Sequence, residues 1–243
     1  PYWWVRWTAA EAVWAISLWG LDGFWRMLVL GWAASLIMYW RLQNTVARPQ
    51  VPGRLREILP SLARLFLPLA ILSLFRNFLV DSLTTYLPIY LNQSGSSLLI
   101  AGGALSLLEL AGVAGALAVG TLSDRLGRKP VLAANAVLGA ALMLVLINVD
   151  GLLLIPVLLV LGFVSLSSQP VMLTIVQDCL PRHRAVGNGL FMTLAFLLRP
   201  ISILGIGFLG DRFGLQTAFY ASALLSLLAI PAVIALPRHS IIK

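Results

Sequence analysis

Four ionisable residues lie inside long apolar stretches of the sequence: Arg76, Asp81, Glu109 and Arg199. A charge placed in hydrocarbon costs several kcal/mol, so such residues usually face a bundle interior or a water-filled path. A carboxylic acid there can carry a proton, and an arginine can bind an anion or pair with an acid. The sequence therefore indicates these four residues as a substrate or proton pathway, and the helices around them must bring them together.

Arg76 and Asp81 lie on one apolar stretch. At 1.5 Å per residue, Arg76 lies about 18 Å along a helix from Arg64, near the middle of a bilayer. Thr84 and Thr85 follow Asp81 at i+3 and i+4, which predicts a polar stripe on one helix face. Arg76 and Asp81 are five residues apart and so point in different directions, which predicts that they do not pair directly.

Glu109 and Arg199 lie on two other stretches. Glu109 is three residues before Gly112, and small residues let helices pack closely, so we expect Glu109 to face the bundle and to be a plausible proton carrier. Arg199 precedes Pro200, which interrupts the hydrogen bonds of its helix. The alternative is that internal ion pairs, for example Glu109 with Arg76, only hold the helices in register.

The composition excludes a water-soluble globular protein. Of the 243 residues, 60% are hydrophobic and 11% are charged, against roughly 45–50% and about 25% in soluble domains. High hydrophobicity also excludes disorder. The chain is predicted to be an integral membrane protein, and membrane topology explains its net charge of +8 better than nucleic-acid binding does. One cysteine and two histidines predict no disulfide framework, metal site or cofactor.

The apolar runs are continuous, which favours helices over the alternating strands of a barrel. The predicted fold is all-α, a polytopic transmembrane helical bundle. Residues 5–19 could be the end of one further span. The predicted spans are Trp25 to Trp40, Phe66 to Leu91, Leu98 to Leu122, Val131 to Val149, Leu152 to Val176, Ala185 to Leu209 and Leu215 to Leu236.

Positive charge is concentrated in alternate connections between these spans. Residues 41–64 contain five arginines, the loop after Leu122 three basic residues, the loop near Pro181 two and the C-terminus two, which is twelve of the seventeen Lys and Arg residues. Basic loops stay in the cytoplasm, so all four segments are predicted to be cytoplasmic. Within the linker, residues 55–62 could form a short amphipathic helix on the membrane surface, although a solvated basic connector is favoured.

The segment from Gly120 to Pro130 reads GTLSDRLGRKP and joins two predicted spans. It resembles the signature loop of the major facilitator superfamily, G-x-L-x-D-R-x-G-R-K, in which this loop joins the second and third helices of each six-helix half. The matching positions are Gly120, Asp124, Arg125, Gly127, Arg128 and Lys129. The segment Gly207 to Gly214 repeats the small-residue and Asp-Arg pattern 87 residues later, as three-helix repeats within a half would.

The resemblance implies a domain organisation. Residues 1–41 would hold the last one or two helices of an N-terminal half, residues 42–65 the cytoplasmic central linker, and residues 66–243 the six-helix C-terminal half, with most of the N-terminal half missing. It also implies that Asp178 pairs with Arg125, and that Asp124 meets the start of the eleventh family helix. This cluster would hold one access state closed.

The resemblance further implies a secondary transporter that works by alternating access. Because the helix from Arg76 to Tyr90 resembles bacterial antibiotic-resistance exporters, proton-coupled efflux of drug-like compounds is the leading hypothesis. The expected setting is a bacterial inner membrane, with a small molecule, protons and lipid as partners and a cytoplasmic C-terminus. The alternatives are uptake of a small anionic metabolite, favoured by Arg76 and Arg199, and a non-transporting half that needs a partner.

An enzyme is not expected, because no histidine lies within a span and Cys179 has no catalytic partner in the sequence.

Overall fold

The computed structural model describes residues 27–42, 55–149, 151–181 and 183–237. These residues form helices and connecting turns without a strand, which confirms the all-α fold class. The described helices are α1 (Met27–Leu42), α2 (Leu55–Asp81), α3 (Leu87–Gln93), α4 (Leu98–Leu126), α5 (Arg128–Ile147), α6 (Leu154–Leu166), α7 (Ser168–Cys179), α8 (Arg184–Phe213), α9 (Leu215–Leu227) and α10 (Ala229–Ala235). A π-helical turn, Ser82–Tyr86, joins α2 to α3, and a 3₁₀ turn, Gly151–Leu153, precedes α6.

The chain divides into two compact units, Pro1–Arg54 and Leu55–Lys243. Helix α1 belongs to the first unit and corresponds to the predicted span Trp25 to Trp40. The possible span at residues 5–19 lies outside the described residues.

Six helical segments of the second unit are long and apolar enough to cross a membrane, which confirms the six spans predicted after the linker. Helix α2 starts at Leu55, so the end of the predicted linker is continuous with the first of these spans and does not form a separate surface helix. The segments are Ala63–Gln93, Leu99–Leu126, Arg128–Ile147, Gly151–Cys179, Arg184–Phe213 and Leu215–Ala235.

Single glycines connect two pairs of long helices. Gly127 ends α4 and begins α5 with φ +92° and ψ 143°, and Gly214 does the same for α8 and α9 with φ +85° and ψ 151°. Residues with a Cβ rarely adopt this backbone conformation. The two glycines are 87 residues apart and occupy matching places in the Asp-Arg-x-Gly sequences, so the weak sequence repeat corresponds to a repeated turn.

Helices α4 and α6 pack closely because glycines line their contact. A Cβ atom added at Gly115 would overlap the carbonyl oxygen of Phe163, and one added at Gly162 would overlap that of Leu108. Gly112 lies against the side chain of Leu166 in the same interface. These positions bring the two helix backbones into direct contact.

Two apolar clusters fill the interior of the six-helix unit, and a polar layer separates them. One cluster includes Leu72, Leu132 and Val171, and the other includes Leu79 and Leu161. Between these positions, four of the six membrane-spanning segments place polar residues: Arg76 and Asn77, Asn135, Ser165 with Ser167 and Ser168, and Ser226. The polar layer lies near the middle of the spans, at the depth where uncompensated polar groups cost most.

Candidate functional site

Asp81 is at the centre of a polar contact between α2 and α8. One carboxylate oxygen, Oδ1, accepts a hydrogen bond from Arg199 Nε at 3.1 Å, and Oδ2 accepts one from Ser202 Oγ at 2.5 Å. The Asp81 side chain is 3% exposed, whereas that of Arg199 is 55% exposed. The ion pair therefore links a buried acid to a base that reaches the surface of the six-helix unit.

The backbone changes from α-helix to π-helix directly after Asp81. Two hydroxyl groups attach this π-helical turn to other helices: Ser82 donates to Ser222 on α9 at 2.9 Å, and Tyr86 donates to the Ile203 carbonyl on α8 at 2.9 Å. The polar stripe predicted for Thr84 and Thr85 depended on α-helical spacing, but in the π-helical turn the backbone hydrogen bonds join residues five apart. The Thr84 hydroxyl donates to the backbone carbonyl of Val80, four residues earlier. Single π-helical turns are frequent at functional sites.

Pro200 lies inside α8 next to Arg199. Proline has no backbone N–H, so the carbonyl of Phe196 loses its usual helical donor at the point where the helix contacts Asp81. Ser202 was missed by the sequence reasoning, although its i+3 spacing from Arg199 places both side chains on one helix face.

Glu109 does not face the interior of the six-helix unit, contrary to expectation. It is exposed, because Leu108 and Gly112 occupy the side of α4 that packs inward. The suggested ion pair of Glu109 with Arg76 is also not formed. Arg76 donates to Gln169 on α7 at 3.1 Å and to Asn77 at 3.3 Å. The expectation that Arg76 and Asp81 do not pair directly agrees with the bond of Asp81 to Arg199.

The signature segment forms a charge cluster around Arg128 at one end of the bundle. Arg128 Nη1 forms a hydrogen-bonded ion pair with Asp178 and donates to the Thr174 carbonyl at 2.9 Å, and Nη2 lies 3.5 Å from Asp124. The expectation that Arg125 would pair with Asp178 is wrong. The turn at Gly127 starts α5 at Arg128 and directs that side chain to α7, while Arg125 is exposed. In the described part of the chain, Asp124 contacts Arg128 rather than the start of α8.

Lys129 extends this cluster to the last transmembrane segment. Its ammonium group donates to the carbonyl of Ile234 at 3.1 Å and also to that of Leu236. These carbonyls lie at the C-terminal end of α10, where helix carbonyls lack intrahelical donors and the helix dipole favours a cation. Two consecutive basic residues thus tie the start of α5 to α7 and to α10.

Replacing Arg128 by Ala is expected to lower the free energy of unfolding by about 1–2 kcal/mol, because the substitution removes the hydrogen bond to the Thr174 carbonyl and the ion pair with the partly exposed Asp178 carboxylate. Replacing the neighbouring Arg125 by Ala should change it by less than about 0.5 kcal/mol. Thermal unfolding of the two variants in detergent distinguishes them. Equal destabilisation would show that the cluster does not depend on Arg128 in particular.

Within the described part of the chain, no group of three or more His, Cys, Asp or Glu side chains is placed to hold a metal ion. Among the predicted charged site residues, Asp81 pairs with Arg199, and Asp124, Arg128, Lys129 and Asp178 form the Arg128 cluster. Arg76, Glu109 and Arg125 lie apart from both.

Two comparisons identify what this chain is similar to. The family model of the Major Facilitator Superfamily matches residues 9–203. An uncharacterized MFS-type transporter of Bacillus subtilis (strain 168), YfnC, is 32% identical over 123 residues, which is 51% of this chain and 30% of that protein. The match thus covers less than a third of the length of that relative. With a family match over most of its length and six helices able to span a membrane, the chain belongs to the major facilitator superfamily of membrane transporters.

Proposed function

We propose that the protein is a secondary transporter that exports drug-like compounds by alternating access in exchange for protons. The observation that carries the proposal is the Asp81–Arg199 ion pair, in which a buried carboxylate and a partly exposed guanidinium join two membrane-spanning segments. Buried acids within such segments commonly form proton relays. Residues 66–243 would act as one half of the transporter, opposite a second helical half.

Exposed charges on membrane-spanning helices support a second half. Arg199 and Glu109 are both exposed on the six-helix unit, within segments that are otherwise strongly apolar. Contact of either charge with lipid tails would be costly, so each is expected to face a water-filled path or another protein segment. In this fold class, substrate sites lie between two such halves near the bilayer midplane. Arg199 and Glu109 would then line the substrate path.

The ion pair supplies a mechanism for coupling. When Asp81 is ionised, it holds Arg199 and Ser202 of α8 against the end of α2. Protonation of Asp81 removes the charge that attracts Arg199, which frees the guanidinium to move and weakens this link between the helices. Pro200 and the π-helical turn give both helices a local irregularity at which they can bend. Proton binding would thus favour one access state and proton release the other.

The Arg128 cluster is proposed to act as the gate on the cytoplasmic side. It connects α5 to α7 through Asp178 and to α10 through Lys129, and such interface ion pairs can be made in one access state and broken in the other. The basic loops support a cytoplasmic position for this end and for the C-terminus. With a Bacillus protein as a relative, we propose a bacterial inner membrane as the location.

Uptake of a small anionic metabolite has less support from the arrangement of the arginines. That function favours two cations at one site. Arg199 is partly neutralised by Asp81. Arg76 contacts Gln169 and lines a cavity whose lining residues do not include Arg199.

Transport by the complete protein in proteoliposomes tests the proposal. Ethidium is a suitable probe because a permanent cation does not accumulate by weak-base trapping. Vesicles with an acidic lumen should accumulate ethidium as protons leave, and nigericin with potassium should abolish the accumulation by collapsing the pH gradient. Carboxyfluorescein, an organic anion, is the matched control. Gradient-driven movement of carboxyfluorescein alone would contradict efflux of cationic drug-like compounds and favour anion transport.

A further inference from the structure

A small cavity lies between α2, α5, α6, α7, α9 and α10. Its volume is about 20 Å³, and space of this size holds one or two water molecules or one ion of similar size. The polar residues that line it are Arg76, Asn135, Ser165, Ser168 and Ser226, and the others are apolar.

Arg76 has no carboxylate partner among the residues that the structure describes. Its two hydrogen bonds go to the neutral oxygens of Asn77 and Gln169, and its buried Nε has no acceptor. Asp81, whose field also acts on Arg76, forms its ion pair with Arg199. Arg76, Asp81 and Arg199 together therefore carry a net charge of +1. A buried charge left without a partner is strongly destabilising, so a counter-ion is expected.

The donors around the cavity favour an anion as that counter-ion. The hydroxyl of Ser165 is buried and has no hydrogen-bond partner in the described structure. Ser168 accepts a hydrogen bond from Asn135 Nδ2 at 3.2 Å, which leaves its own hydrogen available to donate. Arg76 Nε and these hydroxyls offer donors, with no carboxylate among the lining residues to repel a negative charge.

We propose that this cavity binds one small inorganic anion, of the size of chloride or bromide, as the counter-ion of Arg76. The anion would be a structural component of the six-helix half and separate from the transported substrate. It would explain why two buried donors, Arg76 Nε and Ser165 Oγ, lack protein acceptors. A larger anion such as gluconate does not fit a cavity of this volume.

Halide-dependent stability of the complete protein in detergent tests the proposal without measuring transport. Exchanging sodium gluconate for sodium bromide at constant ionic strength should raise the unfolding midpoint by about 2–3 °C once bromide is tenfold above its Kd. Replacing Arg76 by Met should abolish this shift. Replacing Arg64, an exposed arginine on the same helix, by Gln should leave the shift intact.

Two further results keep the test decisive if Arg76→Met does not fold. Ser165→Ala should weaken the apparent affinity for bromide about tenfold, because it removes one hydrogen bond to a charged ligand. Crystals grown with bromide should show an anomalous peak beside Arg76 Nε. An equal bromide shift in Arg76→Met and the wild type, or no shift in the wild type, would overturn the proposal and indicate that water fills the cavity.

Discussion

Replacing Asp81 by Asn is expected to reduce proton-driven ethidium accumulation strongly while exchange of ethidium at equal pH continues. The amide cannot ionise, so Arg199 is permanently released from its ionic partner and the protein no longer responds to proton binding. A coupling free energy of 1–3 kcal/mol corresponds to about a 5–150-fold loss of gradient-driven transport. Initial rates in proteoliposomes with and without a pH gradient measure the loss directly.

Asp211→Asn is the matched control for this substitution. Asp211 is also an aspartate, is exposed, and lies on α8, the helix that carries Arg199. The control should retain the response to the pH gradient. If Asp81→Asn accumulates ethidium as the wild type does under a gradient, the proton is carried elsewhere, and Glu109, the other predicted pathway acid, becomes the residue to replace.

Replacing Gly115 by Ala is expected to destabilise the six-helix unit by about 1–3 kcal/mol. Its new methyl group would overlap the backbone carbonyl of Phe163, which no side-chain rotation can relieve, so α4 and α6 must move apart. Gly162→Ala should act in the same way, through the carbonyl of Leu108. The unfolding midpoint in detergent and the yield of monodisperse protein report the effect.

Gly103→Ala provides a control on the same helix. A Cβ atom at Gly103 meets nothing within 4 Å, so the substitution should be neutral or slightly stabilising, as expected from the higher helix propensity of alanine. Similar losses for Gly103→Ala and Gly115→Ala would mean that α4 is sensitive to alanine in general, and that close contact with α6 is not the cause.

The helices could be predicted because membrane spans depend on local composition. Each apolar run from Phe66 onward became a spanning segment, since the cost of unsatisfied backbone groups in hydrocarbon allows few other structures. The start of α2 at Leu55 was not predicted, because prolines and arginines in that region resemble a linker. The π-helical turn after Asp81 also has no local signal, since it depends on contacts of Ser82 and Tyr86 with other helices.

The candidate site was predicted as a set of residues and not as an arrangement. Asp81 and Arg199 were both selected because of their depth, yet their pairing depends on how α2 and α8 pack, which a sequence does not specify. Glu109 was predicted to face inward because of Gly112, but residues three positions apart on a helix still point about 60° apart. Leu108 fills the interface instead. Gln169 belongs to a run of polar residues within an apolar span, a signal that sequence reasoning overlooked.

The glycine turns at Gly127 and Gly214 limit how the helices that they join can move. With a single residue between two membrane-spanning helices, the folded pair is a helical hairpin whose two free ends lie on the same side of the bilayer. The connection has no spare length, so neither helix can slide along the membrane normal without its partner. Four of the six spans would therefore shift in depth only as two pairs.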